Sequence, residues 1–187
     1  MTYKVTTGPA SEPLTVSEVK DYLKVDSSAD DTLIGTLIAA ARQWVENHCA
    51  LALLPQTAVQ TWSEFGKDMN LALSPLRSVS AITYLDTGGT QQTLDASVYG
   101  VDSIRTPAQI YRRYGQSWPA THEAPNAASA IFTAGYDAAS AVPAAIKQAL
   151  MLTIADMYDN RTDYVKRLPT AAEYLLQSCG YRVWLFQ

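Results

Sequence analysis

Apolar positions recur along this chain with two periods, and the change of period divides it. Val16, Val19 and Leu23 fall at helical spacing behind Thr15. Thr15 and Glu18 stand three apart, the spacing at which a hydroxyl and a carboxylate reciprocally satisfy free amides at a helix start, so a first helix is expected over about 15–24. Ser28 and Asp31 repeat that spacing, and Asp30 adds negative charge where the helix dipole favours it. Leu33, Ile34, Leu37, Ile38, Ala41, Trp44 and Val45 then trace one apolar stripe, which predicts a second helix over about 28–48.

From Pro55 the signal changes to short runs rich in β-branched and aromatic residues, TAVQTW, NLALS, VSAITYL, TQQTL and ASAIFTAGY. Asp86, Thr87, Gly88 and Gly89 join the third and fourth runs as a hairpin turn, because Gly-Gly supplies the positive φ that tight turns need. The stretch 99–126, with Pro107, Pro119 and Pro125, reads as an irregular excursion from the sheet. Pro143 suits a first helical turn, and Ile146, Ala149, Leu150, Thr153, Ile154, Met157 and Tyr158 mark the inner face of a third helix over about 143–160. TAAEYLLQSC predicts a fourth helix over about 170–179, closed by Gly180, and YRVWLFQ follows directly.

The expected fold class is therefore α+β, mainly α. It is a small bundle of four helices with a β-rich antiparallel insertion over about 55–136 and an extended C-terminal tail. One domain over 1–180 is expected, followed by the tail 181–187.

Composition narrows the function classes. The 187 residues are 48% apolar and 17% charged, long enough to bury a sizeable core. A net charge of -4 without a dense Lys/Arg face argues against holding nucleic acid by phosphate neutralisation. Two cysteines, Cys49 and Cys179, do not make a disulfide framework, and buried thiols in a reducing compartment are expected. MTYKVTTGPASEP lacks the apolar run of a signal peptide, and no stretch has the roughly 20 apolar residues of a membrane span, so the expected address is the cytoplasm or a particle assembled there.

Catalytic chemistry has little to work with. His48 and Cys49 are adjacent on a helix and point about 100° apart, which favours a helix-end His and a buried Cys over a thiolate pair. His122 beside Glu123 lacks a nucleophile elbow and reads as a surface-loop residue. The His and Cys residues have no paired metal-ligand spacing, Gly88-Gly89 lacks the Lys-Ser/Thr of a phosphate loop, and no cofactor is expected.

Six phrases in order, LTVSEVKDYLKVD, DDTLIGTLIAAARQWVENHCALALLPQT, LSPLRSVSAITYLDTGGTQQTLDASVYGVD, SWPATHEAPNAASAIFTAGY, VPAAIKQALMLTIADMYDNR and YRVW, resemble the head-tail connector proteins of tailed bacteriophages. These are also called adaptor or head-completion proteins and occur in prophages and gene-transfer particles. The resemblance covers 14–186. It implies a structural protein of the virion neck, no enzyme, assembled in the host bacterial cytoplasm as a ring of about twelve copies under the portal. Its implied partners are the portal protein, neighbouring copies, and a stopper or tail protein, with double-stranded DNA passing through the channel without specific binding.

The tail residues Tyr181, Arg182, Val183, Trp184, Leu185 and Phe186 are expected to dock on the portal, since an aromatic and apolar segment with an Arg marks an interaction surface. The competing reading is a flap over this monomer's own helices. Arg105, Arg112, Arg113, Trp118 and His122 are candidate contacts to neighbouring subunits or the tail. Two other classes stay open at this point, a stopper or tail terminator and a small hydrolase using His122 or Cys49.

Overall fold

The computed structural model describes residues 2–67, 69–160 and 169–178. Backbone contacts divide the chain into two units, Met1–Pro9 with Pro55–Gly135 and Ala10–Leu54 with Tyr136–Gln187.

In the first unit, β1 (Thr2–Thr7), β2 (Gln56–Trp62), β4 (Leu76–Leu85), β5 (Gln91–Thr93) and β8 (Ala128–Ala134) build one antiparallel sheet in the order β1-β2-β8-β4-β5. A second antiparallel sheet has the order β3-β7-β6, from β3 (Met69–Asn70), β7 (Gln109–Arg112) and β6 (Tyr99–Asp102). The central strands β2 and β8 both alternate buried and half-buried positions, as period-two side chains require. Their inner faces pair large against small, with Ala58 opposite Phe132, Gln60 opposite Ala130 and Trp62 opposite Ala128. That complementarity lets Phe132 reach full burial, worth about 1.5–3 kcal/mol for such a side chain.

Gln60 is a fully buried amide, yet both of its ends are used. Its Nε2 donates to the Asn70 carbonyl at 2.7 Å, and its Oε1 accepts from the Ala72 amide at 2.8 Å. The side chain thus fastens β2 to the segment after β3, where Leu71 and Leu73 enter the core. In the turn after β4, the Asp86 carboxylate accepts from Gln92, Thr90 and Gly88, which holds it below the usual carboxylate range, and Gly89 takes φ +79°.

In the second unit, α1 (Val16–Leu23), α2 (Asp31–Cys49), α3 (Ala144–Asp159) and α4 (Thr170–Ser178) share one apolar core. It takes Val19 from α1, Ile34, Ile38, Ala41 and Val45 from α2, Ile146, Leu150 and Ile154 from α3, and Ala172 and Leu176 from α4. The Thr15–Glu18 capping box is present, with the Thr15 amide donating to Glu18 Oε2 at 2.7 Å. α1 and α2 end on Lys24 and Ala50 in the left-handed region, at φ 59° and 53°.

The buried centre of this unit also holds an ionic chain. Arg42 donates to Glu46 Oε2 at 2.7 Å and, through two nitrogens, to Glu12 at 2.7 and 3.2 Å. Glu46 Oε1 accepts the Leu53 amide at 2.8 Å, which fixes the chain as it leaves α2. Burial opposes the Arg42 charge, but the Glu12 and Glu46 carboxylates outweigh it and hold the guanidinium above its ordinary value.

Three expectations change. The protein is not mainly α: among the described residues eight strands in two antiparallel sheets accompany the four helices. The extra strands are β1, in a segment with no helix or strand assigned from sequence, and β6 and β7, inside the supposed irregular stretch. β1 has every residue exposed and β7 buries only Ile110, so neither offers the alternation from which a strand is recognised. The NLALS run contributes only Asn70 to a strand, because its leucines are buried from loop backbone. Finally, no side chain caps α2, whose N-cap is Asp30. The two carboxylates are drawn elsewhere, Asp31 to Lys20 at 2.8 Å and Asp30 to the Tyr158 hydroxyl at 2.5 Å.

Candidate partner-docking site

The β6–β7 hairpin, the loop after β2 and the segment between β7 and β8 bring four of the five candidate contacts to two clefts. Tyr111 pairs with Gly100 across the hairpin, and a Cβ on Gly100 would stand 2.4 Å from the Tyr111 ring, so only glycine lets that ring lie over β6. Gln109, two positions back and on the same face of β7, accepts from Arg105 at 2.8 Å and donates to the Lys67 carbonyl at 3.4 Å. Arg112 follows at the strand end, its guanidinium held by the Gln116 carbonyl. The result is a cleft of about 590 Å³ lined by Phe65, Gly66, Lys67, Gln109, Tyr111, Arg112 and Trp118, with Arg105 bound to its Gln109 wall.

Trp118 anchors the floor. Its ring stacks on Phe65 at 4.9 Å and 9°, and Phe65 meets the edge of Tyr84 at 5.7 Å. Such a pair is worth ~0.5–1.5 kcal/mol beyond its buried area, enough to hold an otherwise loop-borne wall in place. On the other side of the stack lies a second cleft of about 340 Å³, lined among others by Ser63, Glu64, Thr121, His122 and Glu123. The two clefts differ in sign, with Lys67 and Arg112 on one and Glu64 and Glu123 on the other.

Of the five candidate contacts, Arg105, Arg112 and Trp118 come together at the larger cleft and His122 lies on the smaller one. Arg113 is separate, its Nε donating to the Tyr99 carbonyl at 2.6 Å. Ile104 and Tyr114, each fully exposed, stand at opposite ends of the hairpin. The tail residues 181–186, Cys179 and Gly180 lie outside the described residues. Phe65, Lys67, Gln109 and Tyr111 were missed from sequence. Their one visible signal is a large aromatic in a turn-rich stretch, WSEFGK, where an unburied apolar group marks contact.

The hydrolase candidates are not assembled. Cys49 is buried, and the neighbouring His48 stacks on Trp44 at 5.5 Å with its Nε2 buried. The exposed His122 makes no hydrogen bond through its ring to Ser63, Thr121 or Glu123 among the described residues. Nor does any group of three His, Cys, Asp or Glu among them have the arrangement to hold a metal ion.

A sequence profile described as head completion protein matches residues 12–172. Among solved structures, the chain is similar to a component of the "Virion of native gene transfer agent (GTA) particle", with TM-score 0.78 and 22% identity over 95% of this chain and 94% of that one. The same scores and coverage relate it to a chain of the "Neck of empty GTA particle computed with C6 symmetry". A chain of the "Neck of native GTA particle computed with C12 symmetry" gives TM-score 0.70 and 24% identity over 95% and 94%. No curated protein matches the chain.

Proposed function

The chain belongs to the head completion protein family, and on that premise we propose that it is the head-tail connector of a tailed phage or phage-like particle. It forms a ring of about twelve subunits beneath the portal, extends the DNA channel, and offers the platform on which a stopper or tail protein attaches. The observation that carries this reading is the family match over 12–172. The fold shared with chains of gene transfer agent necks computed with C6 and C12 symmetry supports it.

Its role is structural, without catalysis. A conduit must let DNA slide, and each neutralised phosphate adds affinity, so a chain of net charge -4 suits a channel wall. The segment 181–186 docks on the portal, with Tyr181, Arg182, Trp184 and Phe186 as its anchors. Arg105, Arg112, Arg113, Trp118 and His122 contact neighbouring subunits or the tail side. Assembly takes place in the host cytoplasm, and the mature address is the virion neck.

Particle imaging of the full chain mixed with its portal tests this directly. A ring stacked under the portal is expected. Deleting residues 181–187 is expected to leave the far-ultraviolet spectrum and melting temperature intact while abolishing incorporation. A truncated chain that loses several degrees of stability would instead assign the tail to the monomer's own core, and an intact chain that never decorates the portal would refute the connector reading.

A further inference from the structure

Net charge conceals how the charge is divided. The β-rich unit's range carries six acidic and six basic residues, whereas the helical unit's range carries twelve and eight, so the whole surplus of -4 belongs to the helices. Four of the six basic residues, Lys67, Arg105, Arg112 and Arg113, lie on or beside the β6–β7 hairpin, and no carboxylate lines the larger cleft among the described residues.

At one end of the helical unit carboxylates outnumber the cations, Lys20 and Lys24. The Lys20–Asp31 and Tyr158–Asp30 bonds bring the last turn of α1, the start of α2 and the last turn of α3 together. Around that junction Asp21, Asp26 and Asp159 are exposed. Asp156 and Asp159 occupy the last turn of α3, where no basic residue accompanies them. Carboxylates at a helix C-terminus oppose the helix dipole, typically by ~0.3–1 kcal/mol each. Asp156 Oδ1 accepts from the Asn160 side chain at 2.9 Å, whereas the exposed Asp159 makes no ion pair among the described residues and leaves its charge available to a partner.

We propose that the cleft of Lys67, Arg105, Tyr111 and Arg112 is a socket for the acidic end of the helical unit of a second copy. Each subunit thereby plugs into the next. Such a contact joins two different surfaces, the head-to-tail kind that closes into a ring when the rotation permits. The aromatic floor of Phe65 and Trp118 with flanking arginines is the residue mixture that dominates interface energies, and opposite charge steers the encounter. A DNA duplex fits less well, because Glu64 and Glu123 line the adjoining cleft and interrupt any continuous cationic track.

The proposal rests on the connector reading, and portal-templated ring formation by full-length chains separates the two. The chains are wild type, K67E/R105E, D21K/D26K, and one carrying all four changes; all four altered side chains are exposed, and unchanged melting temperatures verify the fold. Each charge reversal is expected to lower ring occupancy about tenfold or more, equivalent to ~1.4 kcal/mol, and the fourfold chain to regain it. Unchanged occupancy in either reversal, or no recovery in the fourfold chain, overturns the socket. Wild-type chains that form no ring overturn the connector reading, and the socket with it. Should K67E/R105E keep its rings but lose retention of a labelled duplex of about 30 base pairs, the cleft is a nucleic-acid contact and the socket is again overturned.

Discussion

Replacing Glu46 is the most informative test of the helical unit, because one buried carboxylate carries two separable contacts. Its Oε1 accepts the Leu53 amide at 2.8 Å and its Oε2 accepts Arg42 at 2.7 Å. Glu46→Ala strands a buried backbone N–H, costing ~1–3 kcal/mol, and removes one of the two carboxylates that neutralise Arg42. Breaking a buried ion pair from one side typically costs ~3–5 kcal/mol. Glu12 still holds Arg42 through two bonds, so the lower end, about 3 kcal/mol, is expected. For a chain of this length that is a fall in melting temperature of about 10 °C. Glu46→Gln keeps an acceptor for Leu53 and loses only the charge, so about 1–2 kcal/mol is expected. In the Arg42→Met, Glu46→Leu double variant both charges go together, so the ion-pair part of the loss should be recovered while the Leu53 amide stays without its acceptor, at ~1–3 kcal/mol. Urea unfolding followed by helical ellipticity reads all four proteins. A Glu46→Ala loss under about 1 kcal/mol, or a double variant less stable than Glu46→Ala, would show that the ionic chain does not hold α2 to the residues that follow it.

Three shorter tests address other contacts. Glu18 is held below its ordinary pKa by the Thr15 amide and hydroxyl, so its capping contribution is present above the normal glutamate range and is lost as pH falls through the depressed value. Thr15→Ala should cost about 1 kcal/mol at neutral pH, and hydrogen exchange in α1 should then respond less to acidification than in the parent. Gln60→Leu leaves the Asn70 carbonyl and Ala72 amide without their buried partner, for an expected loss of ~2–4 kcal/mol in chemical denaturation. Gly100→Ala drives the half-exposed Tyr111 ring off β6, so a new tyrosine environment is expected by NMR at a stability cost near ~1 kcal/mol, since the ring has solvent to move into.

What was legible in the sequence follows from how much each segment buries. α2 lays Ile34, Ile38, Ala41 and Val45 along one face, and that stripe is the one the core receives. The alternation of β2 and β8 is equally plain, because both strands have an inner face. β1 fails for the converse reason: TYKVTT buries nothing, and its pairing with β2 rests on backbone hydrogen bonds with two threonine hydroxyls beside them, which leave no hydrophobic alternation to read. β6 and β7 are four residues each, too short for a period to emerge, and proline in the surrounding loops suggested irregular chain instead. At the start of α2 the residue types were read correctly as acidic, but their partners, Lys20 and Tyr158, are 11 and 128 positions away. Local spacing carries no information about such ties.

The candidate site illustrates the same limit more sharply. A search for basic stretches along the chain asks whether cations are neighbours in sequence, and Lys67, Arg105 and Arg112 are not. Pairing of β3 with β7 and the Gln109 bond to the Lys67 carbonyl bring them to one cleft. At physiological ionic strength charges farther apart than about 8 Å are largely screened, so a partner senses that local cluster and not the net charge of the molecule. The deficit of basic residues therefore bears on long-range attraction to a polyanion, while the cleft bears on what docks at contact distance. A chain can be acidic as a whole and still present a cationic, aromatic surface at one cleft.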